Sequence, residues 1–255
     1  MRLSQVFAIC AAFAFLAACL HADCIKDHDH RSSPTSGLLI TDFTIAGTQT
    51  LSSEDLSAIT NELIGSCFDE NSEEIEQRVR SLFQDRGYFT SVVKGIRVKP
   101  SDPIAVPKPA ILEAEVQEGP RYRMAEIGFA GNRAFTAAEL GNEFPIKTGD
   151  LFMRNKIASG LDNLRKLYAT NGFIDEVSMP DTENHSDAAV ILSVIIGEGP
   201  QYHMGKLEIF APKEIADKLR TAWALPEGAV FDDAYLDKFV DSNRSLLPPG
   251  FQREQ

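Results

Sequence analysis

The apolar positions of this chain change period several times between Leu38 and Gln117. Leu39, Thr41, Phe43 and Ile45 alternate along one face, the signature of a strand. Gly47 allows a turn at positive φ. Ser52 stands three residues ahead of Asp55, an arrangement like a capping box. Leu56, Ile59, Leu63 and Ile64 follow at helical spacing. A second helix is predicted from about Ser72, with Ile75, Val79, Leu82 and Phe83 on one stripe. Gly87 stops it where a C-cap glycine belongs. Tyr88 to Val98 is rich in β-formers, and Lys99 to Pro109 holds four prolines and reads as a loop. Leu112, Ala114 and Val116 then alternate with Glu113, Glu115 and Gln117, a half-buried strand.

The pattern then repeats. Ile127 and Phe129 lie in a strand, Gly131 takes the turn, and Thr136 with Glu139 forms a stricter capping box. Ile157, Leu161, Leu164 and Tyr168 stripe a helix that Gly172 caps. Val190, Leu192, Val194 and Ile196 face inward from a last strand. Glu118-Gly119-Pro120-Arg121-Tyr122-Arg123-Met124 returns 80 residues later as Glu198-Gly199-Pro200-Gln201-Tyr202-His203-Met204. Such a period is the size of a small domain rather than a solenoid repeat. The order β-α-α-β-β predicts a two-layer α+β unit whose helices cover one face of the sheet.

This order of elements, Gly87-Tyr88-Phe89 and Gly172-Phe173 after the second helix, the Glu-Gly-Pro-x-Tyr phrase and Phe129-Ala130-Gly131-Asn132-Arg133-Ala134-Phe135 together resemble POTRA (polypeptide-transport-associated) domains. Such domains form the periplasmic arm of outer-membrane barrel-assembly proteins of the BamA and TamA kind. The fold expectation is tandem POTRA domains, each a three-stranded mixed sheet under two helices, at 38–122 and 123–202. A partial third repeat is expected at 203–255, with a strand at Lys206–Phe210 and two helices marked by Ile215, Leu219, Leu236 and Val240. Its last two strands and a barrel, which needs many alternating segments of about ten residues, do not appear, so a truncated reading frame is expected and insertion activity is not.

The resemblance implies that one edge of each sheet is open, and that extended outer-membrane clients or other assembly-complex subunits add to it as strands. The candidate edge residues are Thr90, Val92, Lys94, Ile96 and Val98 in the first repeat, and Ile174, Glu176 and Ser178 in the second. A lipid-tethered periplasmic scaffold or adaptor, or a division-type POTRA protein, is the alternative. Contact with the outer membrane is expected through a barrel partner or a lipid anchor.

Residues 1–22 read as a secretory signal, with Arg2 ahead of an apolar run from Val6 to Leu20. Leu16-Ala17-Ala18-Cys19 resembles a lipobox, which would make Cys19 a lipid anchor. Leu20-His21-Ala22 offers an ordinary cleavage site instead. Either exit predicts an exported chain, free or tethered by lipid, and the resemblance implies a periplasmic location associated with the outer membrane. Residues 23–37 form a polar tether, in which Asp27, His28, Asp29 and His30 lack the fixed scaffold a metal site needs. Export permits a Cys24–Cys67 disulfide. A net charge of −12 argues against nucleic acid. No nucleophile turn, phosphate loop or metal-binding helix motif marks an enzyme, and no cofactor is expected.

Overall fold

The computed structural model describes residues 37–48, 50–69, 72–102, 104–185, 187–249 and 251. The chain divides into two compact units, Met1–Tyr122 with Phe152–Arg154, and Arg123–Leu151 with Asn155–Gln255.

In the first unit the order is β1 (Gly37–Ala46), α1 (Ser53–Leu63), β2 (Cys67–Asp69), α2 (Ser72–Gln84), β3 (Val92–Pro100) and β4 (Lys108–Gln117). The sheet order is β2-β1-β4-β3, with β1 parallel to β4 and β3 antiparallel to it. Ser52 caps α1 by accepting the Asp55 N–H at 3.0 Å. One apolar cluster holds Leu38, Ile40 and Phe43 from β1 and Ile59 and Leu63 from α1. It also takes Ile75, Val79, Leu82 and Phe83 from α2, and Leu112, Ala114 and Val116 from β4. Each fully buried Leu, Ile or Val contributes about 1.5–3 kcal/mol of transfer free energy.

The expected inward face of β1 needs correction. Leu38 and Ile40 are buried, whereas Thr41 is exposed. Ile40 pairs with Ala110 and Asp42 with Ile111, so Thr41 is an extra residue. That bulge reverses the alternation and puts Ile40 and Phe43 on the same face. Strict period-two reading cannot see it. Met124 pairs with Val190 and Glu126 with Ile191, so Ala125 is the equivalent bulge of the second repeat.

In the second unit the order is β5 (Arg123–Ala130), α3 (Ala137–Asn142), α4 (Arg154–Thr170), β6 (Val177–Asn184), β7 (Ala189–Gly197), α5 (Lys213–Ala222) and α6 (Asp233–Ser242). The sheet order is β5-β7-β6, again parallel then antiparallel. The Thr136–Glu139 capping box is complete. α4 buries Ile157, Gly160, Leu164 and Tyr168, and the ring of Phe144 fills the space a Cβ at Gly160 would need. Both second helices end alike. The Tyr88 N–H donates to the Phe83 carbonyl at 3.1 Å and the Phe173 N–H to the Tyr168 carbonyl at 2.9 Å, closing the wide turn that Gly87 and Gly172 permit at φ 89° and 86°.

A backbone exchange recurs three times. Ile40 donates to Ser66 O and accepts from Gly65 N–H. Met124 does the same with Asp150 and Gly149, and Met204 with Ala229 and Gly228, at 2.7–3.1 Å. This gives the methionine of the repeated phrase its position: its peptide unit holds the loop after the first helix. In the first unit the exchange extends into the short strand β2, which adds a fourth strand to the expected three.

In the third copy the described residues add two helices but no sheet to this exchange. Lys206–Phe210 was expected to be a strand but is not, and Phe210 is 94 % exposed. The reason is pairing. Beyond the exchange, β1 and β5 are held by parallel ladders to β4 and β7, and the described residues offer Lys206–Phe210 no such partner. α5 buries only Ala216 and Leu219, and α6 buries nothing.

Gly131 tests the strand geometry. At φ +87°, a Cβ there would sit 2.2 Å from the Ile196 carbonyl oxygen, whereas a Cβ at Gly128, inside β5 just ahead of this turn, meets nothing within 4 Å. Gly131→Ala is expected to lower unfolding free energy in urea by about 1–3 kcal/mol. Gly128→Ala is expected to raise it slightly, by under ~1 kcal/mol.

Candidate functional site

The last strand of each repeat is paired on both sides, so the strand after the second helix lies at the rim. In the first sheet β3 is that strand. β6 holds the place in the second, where β5 forms the opposite rim. Among the described residues β3 pairs only with β4, and β6 only with β7. An edge strand carries a row of backbone donors and acceptors available to another chain.

The sequence locates these edges in part. Val92, Lys94, Ile96 and Val98 lie in β3, and Ser178 lies in β6. Thr90 precedes β3, and Ile174 and Glu176 precede β6, so these three do not belong to an edge. The strand expected from Ile174 instead runs Val177–Asn184, because Gly172 and a turn closed by Glu176 N–H on Phe173 O occupy the preceding residues. Nor do Val92, Lys94, Ile96 and Val98 share a face. Val93 pairs with Val116 and Gly95 with Glu115, making Lys94 a bulge residue. Val93, Ile96 and Val98 therefore pack on the core together, while Arg97 and Lys99 lie out on the helix-free face.

Glu113 of β4 gathers these two cations. Lys99 Nζ is 2.6 Å from one carboxylate oxygen and Arg97 4.0 Å from the other. The Lys99 hydrogen bond holds the Glu113 carboxyl below its ordinary range, with the two positive charges adding to it.

The β6 edge is partly blunted. Pro180 faces Val194 in the ladder and has no N–H. An edge-strand proline is tolerated where its nitrogen faces away from the neighbouring strand. The Thr182 N–H, two residues on, is occupied by the Asp181 carboxylate at 2.9 Å. The open donor that remains near the start of β6 is Ser178, between Val177 and Met179, which are 55 % and 53 % exposed.

Glu176 has an interior role. It is 9 % exposed, accepts from the Ser178 hydroxyl, and adds its charge to the field around Tyr168. That phenol donates to Glu198 Oε1 at 3.0 Å, and the same oxygen accepts from Arg133 N–H at 2.7 Å and Ala134 N–H at 2.8 Å. The Glu of the repeated phrase thus fastens the end of the last strand to the turn after the first. Burial alone would raise the Glu198 pKa, but the three donors outweigh it and hold the carboxyl below its ordinary value. Burial first, then Glu198, pushes the Tyr168 hydroxyl far up. In the first unit Thr50 N–H donates to Glu118, and the phenol nearby is Tyr88. Phe83–Tyr88 and Tyr168–Phe173 are both edge-to-face pairs, at 5.9 and 5.8 Å. The hydroxyl has changed rings between repeats, a swap that matching identical residues in sequence misses.

Cys67 is disulfide-bonded. Cys24, its expected partner, lies outside the described residues, as do Cys19 and the tether with Asp27, His28, Asp29 and His30. Among the described residues no group of three or more His, Cys, Asp or Glu could hold a metal, and no helix is long and apolar enough to cross a membrane.

Residues 122–199 match the POTRA family model, described as "Surface antigen variable number repeat". The chain is 26% identical over 191 residues to a Treponema pallidum (strain Nichols) protein named outer membrane protein assembly factor. The match covers 72% of this chain and 22% of that protein, so the chain spans about a fifth of that relative's length. The fold is similar to the crystal structure of Haemophilus influenzae BamA POTRA domains 3–5. The TM-score is 0.58 at 16% identity, covering 86% of this chain and 89% of that one. Residues 122–199 are thus similar to a POTRA domain, and the likeness in fold agrees with the α+β reading of the chain.

The Glu198 lock has a pH signature. A carboxyl held below its ordinary value of 4.5 in the folded state stabilises the fold above that pH. The contribution is lost as pH falls through the folded-state value. Urea midpoints for the wild type should therefore fall more steeply between about pH 5 and 3 than those of Glu198→Gln. The variant should be the less stable of the two at pH 7.

Proposed function

We propose that this chain is a periplasmic binding module of the outer-membrane protein assembly machinery, receiving extended clients or partner subunits by strand addition at β3 and β6. The observation that carries the reading is topological. Each complete repeat closes its sheet on the last strand and leaves the strand after the second helix unpaired on one side among the described residues. The relative named as an assembly factor and the POTRA match of residues 122–199 support the setting.

Main-chain pairing suits such a task because it tolerates sequence. An incoming strand gains hydrogen bonds whatever its side chains, and discrimination is left to the neighbours on the two faces. The helices, packed on one side, hold the edge in place without covering it. No step in this reading needs a catalytic group or a cofactor. The reading places the chain in the periplasm beside the outer membrane.

Peptide backbone chemistry separates edge pairing from surface adhesion. An extended peptide N-methylated at alternate residues on its pairing side should lose at least about tenfold in affinity for the full chain, by fluorescence anisotropy. The same peptide N-methylated on the opposite side should bind as the parent does. Equal binding by both would overturn strand addition.

A further inference from the structure

The two open edges differ in side-chain chemistry. β3 reads Val92-Val93-Lys94-Gly95-Ile96-Arg97-Val98-Lys99-Pro100, with three cations and no acid. β6 reads Val177-Ser178-Met179-Pro180-Asp181-Thr182-Glu183-Asn184, with two acids and no cation. A basic edge is unexpected in a chain of net charge −12.

We propose that the β3 edge selects extended segments carrying acidic side chains at alternate positions. This rests on the strand-addition reading of β3 and names the partner class for it.

The geometry points to acids for three reasons. First, Arg97 and Lys99 are two residues apart on one face, so alternate side chains of an added strand stand directly beside both. Their side chains remain 77% and 58% exposed. Second, their internal partner is insufficient. Both reach the single carboxylate of Glu113, which lies on the β4 side. The side away from β4 is where an incoming strand would lie. Third, Lys94 is exposed at the bulge and makes no ion pair among the described residues. Glu115 of β4, opposite Gly95, lines a depression together with Lys94 and with Glu118, whose carboxylate accepts the Thr50 N–H. Glu115 too lies one strand further in than the cations.

The helix-free face beside this edge is hollow. Gly95 has no side chain, and a depression of about 380 Å³ is lined by Thr44, Ala46, Gly95, Arg97, Glu113 and Glu115. That depression lies inward of the rim, over β4, so an alternating acidic strand added at the rim would meet Arg97 and Lys99 from the side opposite it. Along β6 the same strand would meet Asp181 and Glu183 and be repelled. Each cross-strand charge pair is worth a factor of roughly 1.5–5 in binding, with the reverse penalty for like charges. Two such pairs give a preference of about tenfold or more for an acidic over a basic strand.

The test uses the full chain and two eight-residue probes, one alternating valine with aspartate and the other valine with lysine. Anisotropy is read at 0.15 M salt, where the Debye length of about 8 Å damps the repulsion from the distant acidic surface. The aspartate probe should bind about tenfold tighter and cross-link to Val92–Pro100. Arg97→Gln with Lys99→Gln should abolish the preference. Glu113→Gln, which keeps both cations and removes their internal competitor, should enlarge it. Thermal melts of the variants check that each is folded. Equal affinity for the two probes, with sensitivity to N-methylation retained, would overturn the charge selection and leave strand addition standing. No binding by either probe would overturn both.

Discussion

The parallel pairing of a repeat's first strand with its last is the constraint from which the rest follows. β1 on β4, and β5 on β7, join residues about seventy positions apart in sequence. Because the last strand also forms the hairpin with the strand before it, both its sides are used. The strand after the second helix is then left at the rim by construction. The feature proposed to do the work is thus a direct consequence of how the sheet closes, and needs no special residue to create it. The third repeat shows the same rule from the other side. Its helices form and its methionine makes the backbone exchange, yet Lys206–Phe210 stays unpaired where the described residues offer it no ladder partner.

The repeated Glu-Gly-Pro-x-Tyr-x-Met phrase acquires a physical meaning residue by residue. The glutamate fastens the end of the last strand to the turn after the first. The tyrosine peptide joins the glycine that ends the second helix: Tyr122 N–H donates to Gly87 O at 2.9 Å and Tyr202 N–H to Gly172 O at 2.8 Å. The methionine peptide holds the loop after the first helix. The three contacts serve three elements, which explains why the phrase recurs at fixed spacing although the residues between vary. The same logic covers Gly47 and Gly131. A Cβ at either would strike the carbonyl oxygen of the last strand, at 2.4 and 2.2 Å.

Much of the fold is legible in the sequence because periodicity, caps and repetition agree. The helix stripes of Ile75, Val79, Leu82 and Phe83 and the alternation of Leu112, Ala114 and Val116 are read correctly, since both elements are regular and bury one face. What escapes the reading is irregular. The bulges at Thr41 and Lys94 shift the inward face by one residue, and nothing in a period-two pattern marks them. The start of β6 is displaced by the turn after Gly172, so Ile174 and Glu176 fall outside the edge. The charge contrast between β3 and β6 is visible in the letters. It becomes meaningful only once topology shows that both are rims and that Glu113 lies on the inner side of Arg97 and Lys99.

The most direct test of the account is backbone amide exchange on the full chain, with and without a saturating extended peptide. The account predicts new protection confined to the rim strands Val92–Pro100 and Val177–Asn184. The central strands Lys108–Gln117 and Ala189–Gly197, already paired on both sides, should not change. Protection appearing on the helices instead, with the rim strands exchanging as they do alone, would contradict it.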